Sequence, residues 1–282
     1  MTLKEALDYG KEVLENNKIE NSQIDAWYLL EFACKIDRVY YLMHEKEELI
    51  SAKLEVYKEY IDKRSKHIPL QHITGEQEFM GLTFHVNKDV LIPRQDTEVL
   101  VEEVLKVSKS GDKILDMCTG SGCILTSIMK YGRDIEGTAV DISPEALFVA
   151  KKNFKTYGIN PQVVCSNLFE NIVDQYHIIV SNPPYIPKQD IETLMDEVKL
   201  HDPLLALDGG SDGLDFYREI IKESSNYLLD NGFLFFEIGY NQGEDIKKMM
   251  EEYAYEAVEI IKDLAGLDRV VCGKRKLVRG GE

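Results

Sequence analysis

The sequence predicts an α/β chain, a mostly parallel sheet covered by helices, preceded by a small helical N-terminal domain and a β-hairpin linker. Three observations carry this prediction. From about residue 97 onward, apolar β-prone runs alternate with helical segments, as parallel strands joined by crossover helices require. Up to about residue 66 the apolar residues recur at helical spacing, with no strand alternation. Between these parts, two short β-prone runs flank Met80-Gly81, as in a hairpin. The expected boundaries are a helical domain at 1–66, a hairpin linker at 67–96 and an α/β domain at 97–282.

Taken in order, Leu3, Ala6, Leu7, Gly10, Val13 and Leu14 follow a 3.6-residue period. Ile24, Trp27, Leu30 and Cys34 continue it, and a third helical segment spans 54–61. In the α/β part, KILDMC (113–118) is a strand, and a helix follows Gly122. GTAVDI (137–142) is the second strand. Ser143-Pro144 then starts a helix, since Ser caps and Pro suits the first turn. QVVCSN (162–167) and YHIIVSN (176–182) are the third and fourth strands. A helix is expected from about 213 to 229, a strand at GFLFFEIG (232–239), and a helix to about 252. YEAVEIIKD and RVVCGKRK supply two last strands, an antiparallel addition at one edge. No internal repeat or low-complexity segment breaks the pattern.

Composition narrows the function classes. Hydrophobic residues make up 44 % of 282, enough for a sizeable core. There is no run of about 18 apolar residues, so no membrane span or membrane partner is expected. The N-terminus, MTLKEALDYGKEVLE, is charged throughout and does not read as a signal peptide. The 5 cysteines form no CxxC pair and read as reduced thiols of a cytoplasmic protein. No metal site is expected, because the 6 histidines are scattered outside ligand spacing. A net charge of −17 disfavours a broad grip on a phosphate backbone, so no direct nucleic-acid binding is expected. Lys274-Arg275-Lys276 reads as a solvated strand end.

ILDMCTGSGC (114–123) places Gly120 and Gly122 where the first strand of the α/β part hands over to a helix. Glycines there let backbone approach a ligand, at the carboxyl end of the sheet where open α/β folds bind. A phosphate-binding P-loop needs a Lys after the second glycine, and none follows Gly122. A dinucleotide fingerprint needs a third glycine where Leu125 stands. Asp141 ends the second strand, at a spacing suited to accepting from ribose hydroxyls, but a dinucleotide enzyme would share that acid. A ligand with a ribose and no phosphate fits better, and S-adenosylmethionine is such a ligand. The series of strand, glycine loop, helix, strand and Asp resembles class I methyltransferases. That resemblance implies cofactor contacts from Cys118, Thr119, Gly120, Ser121, Gly122 and Asp141, with Leu168 packing on the adenine, and S-adenosylhomocysteine as product.

The fourth strand ends in Ser181-Asn182-Pro183-Pro184-Tyr185. In the fold just named, this end lies beside the methyl donor. The Asn182 amide carbonyl can accept from a substrate N–H, and the Pro183 backbone carbonyl can accept a second, its direction narrowed by the ring. Tyr185 can lay its ring on a planar group. An amide or aromatic amine nitrogen is a poor nucleophile because its lone pair is delocalised. Two acceptors that hold both hydrogens favour the pyramidal nitrogen and stabilise its developing charge. The expected substrate contacts are therefore Asn182, Pro183, Pro184 and Tyr185, with Asn182, Pro183 and Tyr185 catalytic and Asn182 also near the donor.

With these motifs in view, the chain closely resembles the HemK/PrmC family, the release factor glutamine methyltransferases. The likeness runs through PLQHITGEQEFMG (69–81), LIPRQDTEVLVE (91–102), IIVSNPPYIP (178–187), ALDGGSDGLDFYR (206–218), FEIG (236–239) and DLAGLDRVV (263–271). It implies a seven-stranded, Rossmann-like sheet. It also implies methylation of the glutamine side-chain amide in the Gly-Gly-Gln loop of class 1 peptide chain release factors. The helices of 1–66 would then help dock that protein substrate. Arg94, Asp96, Thr97 and Glu98 match the family segment and read as support behind the cofactor site. Gln95, Cys118, Leu168 and His72 depart from it: the family usually has Pro, Gly, Trp and Tyr there. An adenine amino-methyltransferase would share Asp141 and Asn182 to Tyr185, but it would need a basic groove. A binding module without catalysis would not need the loop and Asn182 together.

Overall fold

The computed structural model describes residues 1–253 and 255–276; residue 254 and residues 277–282, which fall in the last expected domain, lie outside them. The chain divides into two compact units.

The first unit takes in Met1–Glu76 and Met195–His201. It contains α1 (Leu3–Asn16), α2 (Ser22–Cys34), α3 (Arg38–His44), α4 (Ser51–Ser65), α5 (Leu70–Thr74) and, from the later segment, an isolated helix at Asp196–His201. Helix α1 starts at a capping box, in which Glu5 N donates to the Thr2 hydroxyl and Thr2 N to the Glu5 carboxylate. Its periodic residues Leu3, Ala6, Leu7 and Leu14 are buried with Leu29 and Leu30 of α2 and Tyr57 and Ile61 of α4. Helix α3, capped by Asp37 through Tyr40 N at 2.7 Å, was not expected. Its 7 residues give no periodic signal, since only Tyr41 is buried. The buried Arg64 of α4 donates to Asp25 at 2.6 Å and also pairs with Glu197.

The second unit takes in Gln77–Leu194 and Asp202–Glu282. The strands β1 (Glu76–Phe79) and β2 (Leu82–His85) pair as the hairpin the sequence predicts about Met80-Gly81. There follow α6 (Glu98–Val107), β3 (Lys113–Met117), α7 (Cys123–Tyr131), β4 (Glu136–Asp141), α8 (Pro144–Thr156), β5 (Gln162–Cys165) and β6 (Tyr176–Ser181). After the isolated helix of the first unit, numbered α9, come α10 (Asp215–Ser224), β7 (Leu228–Glu237), α11 (Gly243–Glu252), β8 (Tyr255–Lys262) and β9 (Asp268–Arg275). The seven-stranded sheet has the order β5-β4-β3-β6-β7-β9-β8. All pairings from β5 to β7 are parallel, and β9 is antiparallel to both β7 and β8. The last strand thus slots between β7 and the edge strand β8.

Apolar residues alternate between the two faces, as strands covered on both sides demand. Leu115, Ile179, Leu234 and Phe236 face α10 and α11 through Tyr217, Ile220, Ile246 and Met250. Ile114, Ile178, Val180 and Phe235 face α6, α7 and α8. Ser143 caps α8 through Ala146 N at 3.1 Å, and Pro144 follows it in the first turn, as expected. One boundary differs. The helix expected to reach 229 ends at Ser224, and β7 starts at Leu228. Tyr176 N donates to Tyr227 O at 2.8 Å, so pairing with β6 draws this stretch out of the helix.

Candidate active site

Strands β4 and β6 leave β3 on opposite sides. A sheet that reverses direction this way opens a crevice at its carboxyl ends. A cleft open to solvent lies there. Its walls come from the β3–α7 loop, the ends of β4 and β6, the turn after β5, the segment 89–97, residues 203–206 and Phe216. Of the expected site residues, Cys118, Thr119, Gly120, Ser121, Asp141, Leu168, Asn182 and Pro184 line this one cleft.

Hydrogen bonds hold the loop to the end of β4. Asp141 Oδ2 accepts from Gly120 N and Oδ1 from Ser143 N, both at 2.9 Å. Thr119 N donates to Val140 O at 2.9 Å, and the Thr119 hydroxyl donates to Asp116 Oδ2 at 2.5 Å. Burial pushes the Asp141 carboxyl above its usual range, against the donors from Ser143 and Gly120. It pushes the fully buried Asp116 up to about 7. Cys118 and Leu168 adopt positive φ, 63° and 47°. L residues rarely sit there without a surrounding structure that holds them, and both border the cleft. At Cys118 this geometry accounts for the glycine common in the resembling family.

Gly122 does not reach the cleft. It sits at φ 77°, and an added Cβ would lie 2.7 Å from the Phe154 ring. Its smallness serves the packing of α7 on α8, which the sequence reading had assigned to the ligand. Gly120 has open space at the same position, so a ligand can approach its backbone.

Beyond β6 the chain runs into Asn182-Pro183-Pro184-Tyr185. Asn182 and Pro184 line the cleft; Pro183 is buried beside them and Tyr185 is half-buried, its ring packed on the core of the α10 and α11 face. Burial raises the Tyr185 hydroxyl to about 12. The turn is held from behind. Gln242 Nε2 donates to Tyr185 O at 3.0 Å and to Gly213 O at 3.2 Å. Ile186 N donates to Leu207 O, and Gly209 N to Ile186 O. An added Cβ at Gly213 would lie 2.3 Å from Tyr185 O, and one at Gly209 would lie 2.7 Å from Tyr185 Cα. Gly209 and Gly213 are therefore spaces for the backbone of this turn, while Gly210 leaves room for the Asp215 carboxylate.

The segment before α6 closes another side. Arg94 pairs with the buried Asp202 at 2.7 Å, and Arg94 and Thr97 line the cleft. Asp96 pairs with Arg269 at 3.1 Å. Glu98 accepts from Met80 N at 2.6 Å and so ties α6 to the hairpin. Sequence reasoning missed Asp202, Leu205 and Gln242, which carry no motif of their own, and gave no role to Phe216, which lies within ALDGGSDGLDFYR. It also missed Asn153 of α8, whose amide donates to Ser121 O at 2.9 Å and to His85 O at 3.0 Å. An Asn on the buried side of a predicted helix was the available signal. Among the described residues no group of His, Cys, Asp or Glu is arranged to hold a metal ion, and no helix is long and apolar enough to cross a membrane.

Comparison with known proteins agrees with this geometry. A family described as the PrmC N-terminal domain matches residues 5–75, and one described as the methyltransferase small domain matches residues 94–201. The chain is similar to the release factor glutamine methyltransferase of Clostridium acetobutylicum, 41 % identical and covering 100 % of both chains. It is 39 % identical to that of Geobacter sulfurreducens, over 97 % of this chain and 96 % of the relative. Among solved structures, a T. thermophilus 16S rRNA methyltransferase in complex with AdoMet and guanosine shares the fold. Its TM-score is 0.53 at 17 % identity, over 71 % of this chain and 50 % of that one.

Proposed function

The chain belongs to the release factor glutamine methyltransferase family, and from that premise we propose how its cleft divides the work. The enzyme is a protein-(glutamine-N5) methyltransferase. It moves a methyl group from S-adenosylmethionine to the side-chain amide nitrogen of a release factor glutamine, leaving S-adenosylhomocysteine. The glutamine in this reading is that of the Gly-Gly-Gln loop of class 1 factors. The sulfonium supplies a methyl carbon already joined to a good leaving group, so the protein's task is to hold and orient.

The β3–α7 loop and Asp141 hold the donor. A carboxylate has about four lone-pair sites, and Asp141 uses two on backbone N–H groups. The rest can accept from two ribose hydroxyls. Leu168, on the wall of the same cleft, packs on the adenine. Asn182 accepts one hydrogen of the substrate amide and the Pro183 carbonyl the other. Tyr185, half-buried with its ring packed on the core, would meet the planar group only through the part of its ring left exposed. The proton on the methylated nitrogen is far more acidic than before, so no strong base has to act ahead of attack, and near-attack positioning supplies much of the rate.

The observation that carries this reading is that Asn182 and Asp141 border one cleft, across the switch point of the sheet. Labelled S-adenosylmethionine with intact release factor tests it, with nucleic acid as the parallel arm; label in nucleic acid alone would reject it. Asn182→Ala should lower the single-turnover rate roughly 10²–10³-fold, as loss of a preorganised polar partner does, with less effect on substrate affinity.

The helical first unit is proposed to dock the protein substrate. In its support, Leu42 and Met43 of α3 are 65 % and 75 % exposed. Replacing both by Glu should weaken methylation of intact release factor and leave S-adenosylmethionine affinity unchanged. Unaltered methylation would remove α3 from the docking surface.

A further inference from the structure

Glu237 is the last residue of β7 and is only 2 % exposed, yet no apolar packing calls for a carboxyl there. Strands β6 and β7 run parallel with Ser181 opposite Phe236, so Asn182 and Glu237 occupy the next rung. Val180 and Phe235, two residues before each, lie in the same core layer. Side chains repeat every second residue along a strand, which places Asn182 and Glu237 on one face. Asn182 borders the cleft and Glu237 does not.

The groups around the carboxyl come from every neighbouring element. Thr97 and Asn182 lie against it as hydrogen-bonding side chains, with Arg269 of β9 and Asp96 as the charges nearby. Tyr185, Tyr217 of α10 and Cys123 of α7 feel its field. Arg269 is shared between Asp96 and Asp263, each at 3.1 Å, so it does not neutralise Glu237 alone. The Tyr217 hydroxyl donates to the Glu237 backbone carbonyl at 2.8 Å and fixes the strand end. Oε2 of Glu237 is sealed from solvent and has no partner in hydrogen-bonding geometry. The Asn182 amide, on the rung alongside, carries the donor to complete it.

We propose that Glu237 is a positioning residue: its buried carboxylate takes the Asn182 amide N–H and thereby turns the Asn182 carbonyl oxygen toward the substrate nitrogen. This rests on the role given to Asn182 above. The physical reason is an asymmetry. An amide offers donors on one side and an acceptor on the other, and rotation by half a turn exchanges them. An ionised carboxylate only accepts, so it admits one of the two orientations. With the amide turned the other way, Asn182 would present N–H to an N–H. Glu237 touches neither substrate nor donor and acts through Asn182.

The ionised form is the one that orders the amide, and burial raises this carboxyl to about 7. The methyl-transfer rate should therefore fall as pH drops through about 7. The test uses the full chain and intact release factor in single-turnover measurements at saturating S-adenosylmethionine. Glu237→Gln keeps the shape but can meet either amide orientation. It should lower the rate constant roughly 10- to 100-fold, the scale of a misplaced reacting group. S-adenosylmethionine affinity by calorimetry should stay unchanged, and the acid limb of the pH profile should vanish. In an Asn182→Ala background the same substitution should cost nothing further, because the group it orients is gone. Wild-type enzyme that leaves release factor unmethylated would reject the reading of Asn182 itself. Wild-type activity with an undiminished Glu237→Gln rate, or an equal loss in the Asn182→Ala background, would overturn the positioning role alone. If Glu237→Gln does not fold, the wild-type profile decides, and a rate level between pH 5 and 8 overturns the proposal.

Discussion

Replacing Asp141 by Ala separates the two jobs assigned to one carboxylate. In the free protein it accepts from Gly120 N and Ser143 N, each at 2.9 Å. Hydrogen bonds to charged groups contribute about 1.5–3 kcal/mol, and a buried donor left unpaired costs about 1–3 kcal/mol. Asp141 is half-buried, with its Gly120 partner at the cleft wall, so water can reach part of what the carboxylate leaves. The expected loss of folding stability is therefore about 1–2 kcal/mol, below the sum of two buried orphans. Binding loses separately. A ribose held by this carboxylate accounts for about 1.5–3 kcal/mol, which is a roughly 10- to 150-fold weaker dissociation constant. Isothermal calorimetry with S-adenosylmethionine measures the second, and thermal denaturation without ligand the first. Asp141→Asn keeps one acceptor oxygen but sets an NH₂ against a backbone N–H, so it should recover only part of the affinity. A folded Asp141→Ala variant with wild-type affinity would refute the ribose role, whatever happened to its stability.

Two further outcomes are expected. Gly122→Ala should lower the melting temperature by several degrees, because φ 77° costs a Cβ-bearing residue about 1–2 kcal/mol and the new methyl would lie 2.7 Å from Phe154; an unchanged melt would show that the α7–α8 contact yields freely. Glu237→Gln should stabilise the protein at high pH: burial raises the carboxyl from 4.5 to about 7, so the native state carries a cost on the order of 3 kcal/mol once the group is ionised. That stability is present below about pH 4.5 and is lost as pH rises to about 7, so the melting-temperature gap over wild type should open across that window; a gap independent of pH would contradict the assignment.

The succession of the seven sheet strands and the polar centre of the cleft could be read from the residues alone. Alternating apolar runs form parallel strands because each is buried on both faces, and that pattern is local and periodic. Asp141, Gly120 and Asn182 were legible because strand ends, glycine and proline mark where backbone meets a ligand. Signals of this kind need no knowledge of distant residues.

What remained hidden depends on pairing across the chain. The end of α10 was decided by Tyr227, whose carbonyl joins β6 and overrides local helical character. Gly122 looked like Gly120 in sequence, and only the approach of Phe154 shows that one serves packing and the other faces the cleft. Gln242 lies 57 residues from the tyrosine carbonyl it holds. Arg94 lies 108 residues from Asp202. Glu237 reads in sequence as the charged end of an apolar strand. Its place beside Asn182 follows from the register of β6 on β7, and its raised affinity for a proton follows from burial. Register and burial are properties of the packed sheet, because desolvation acts on a carboxyl only when distant strands and helices have closed around it.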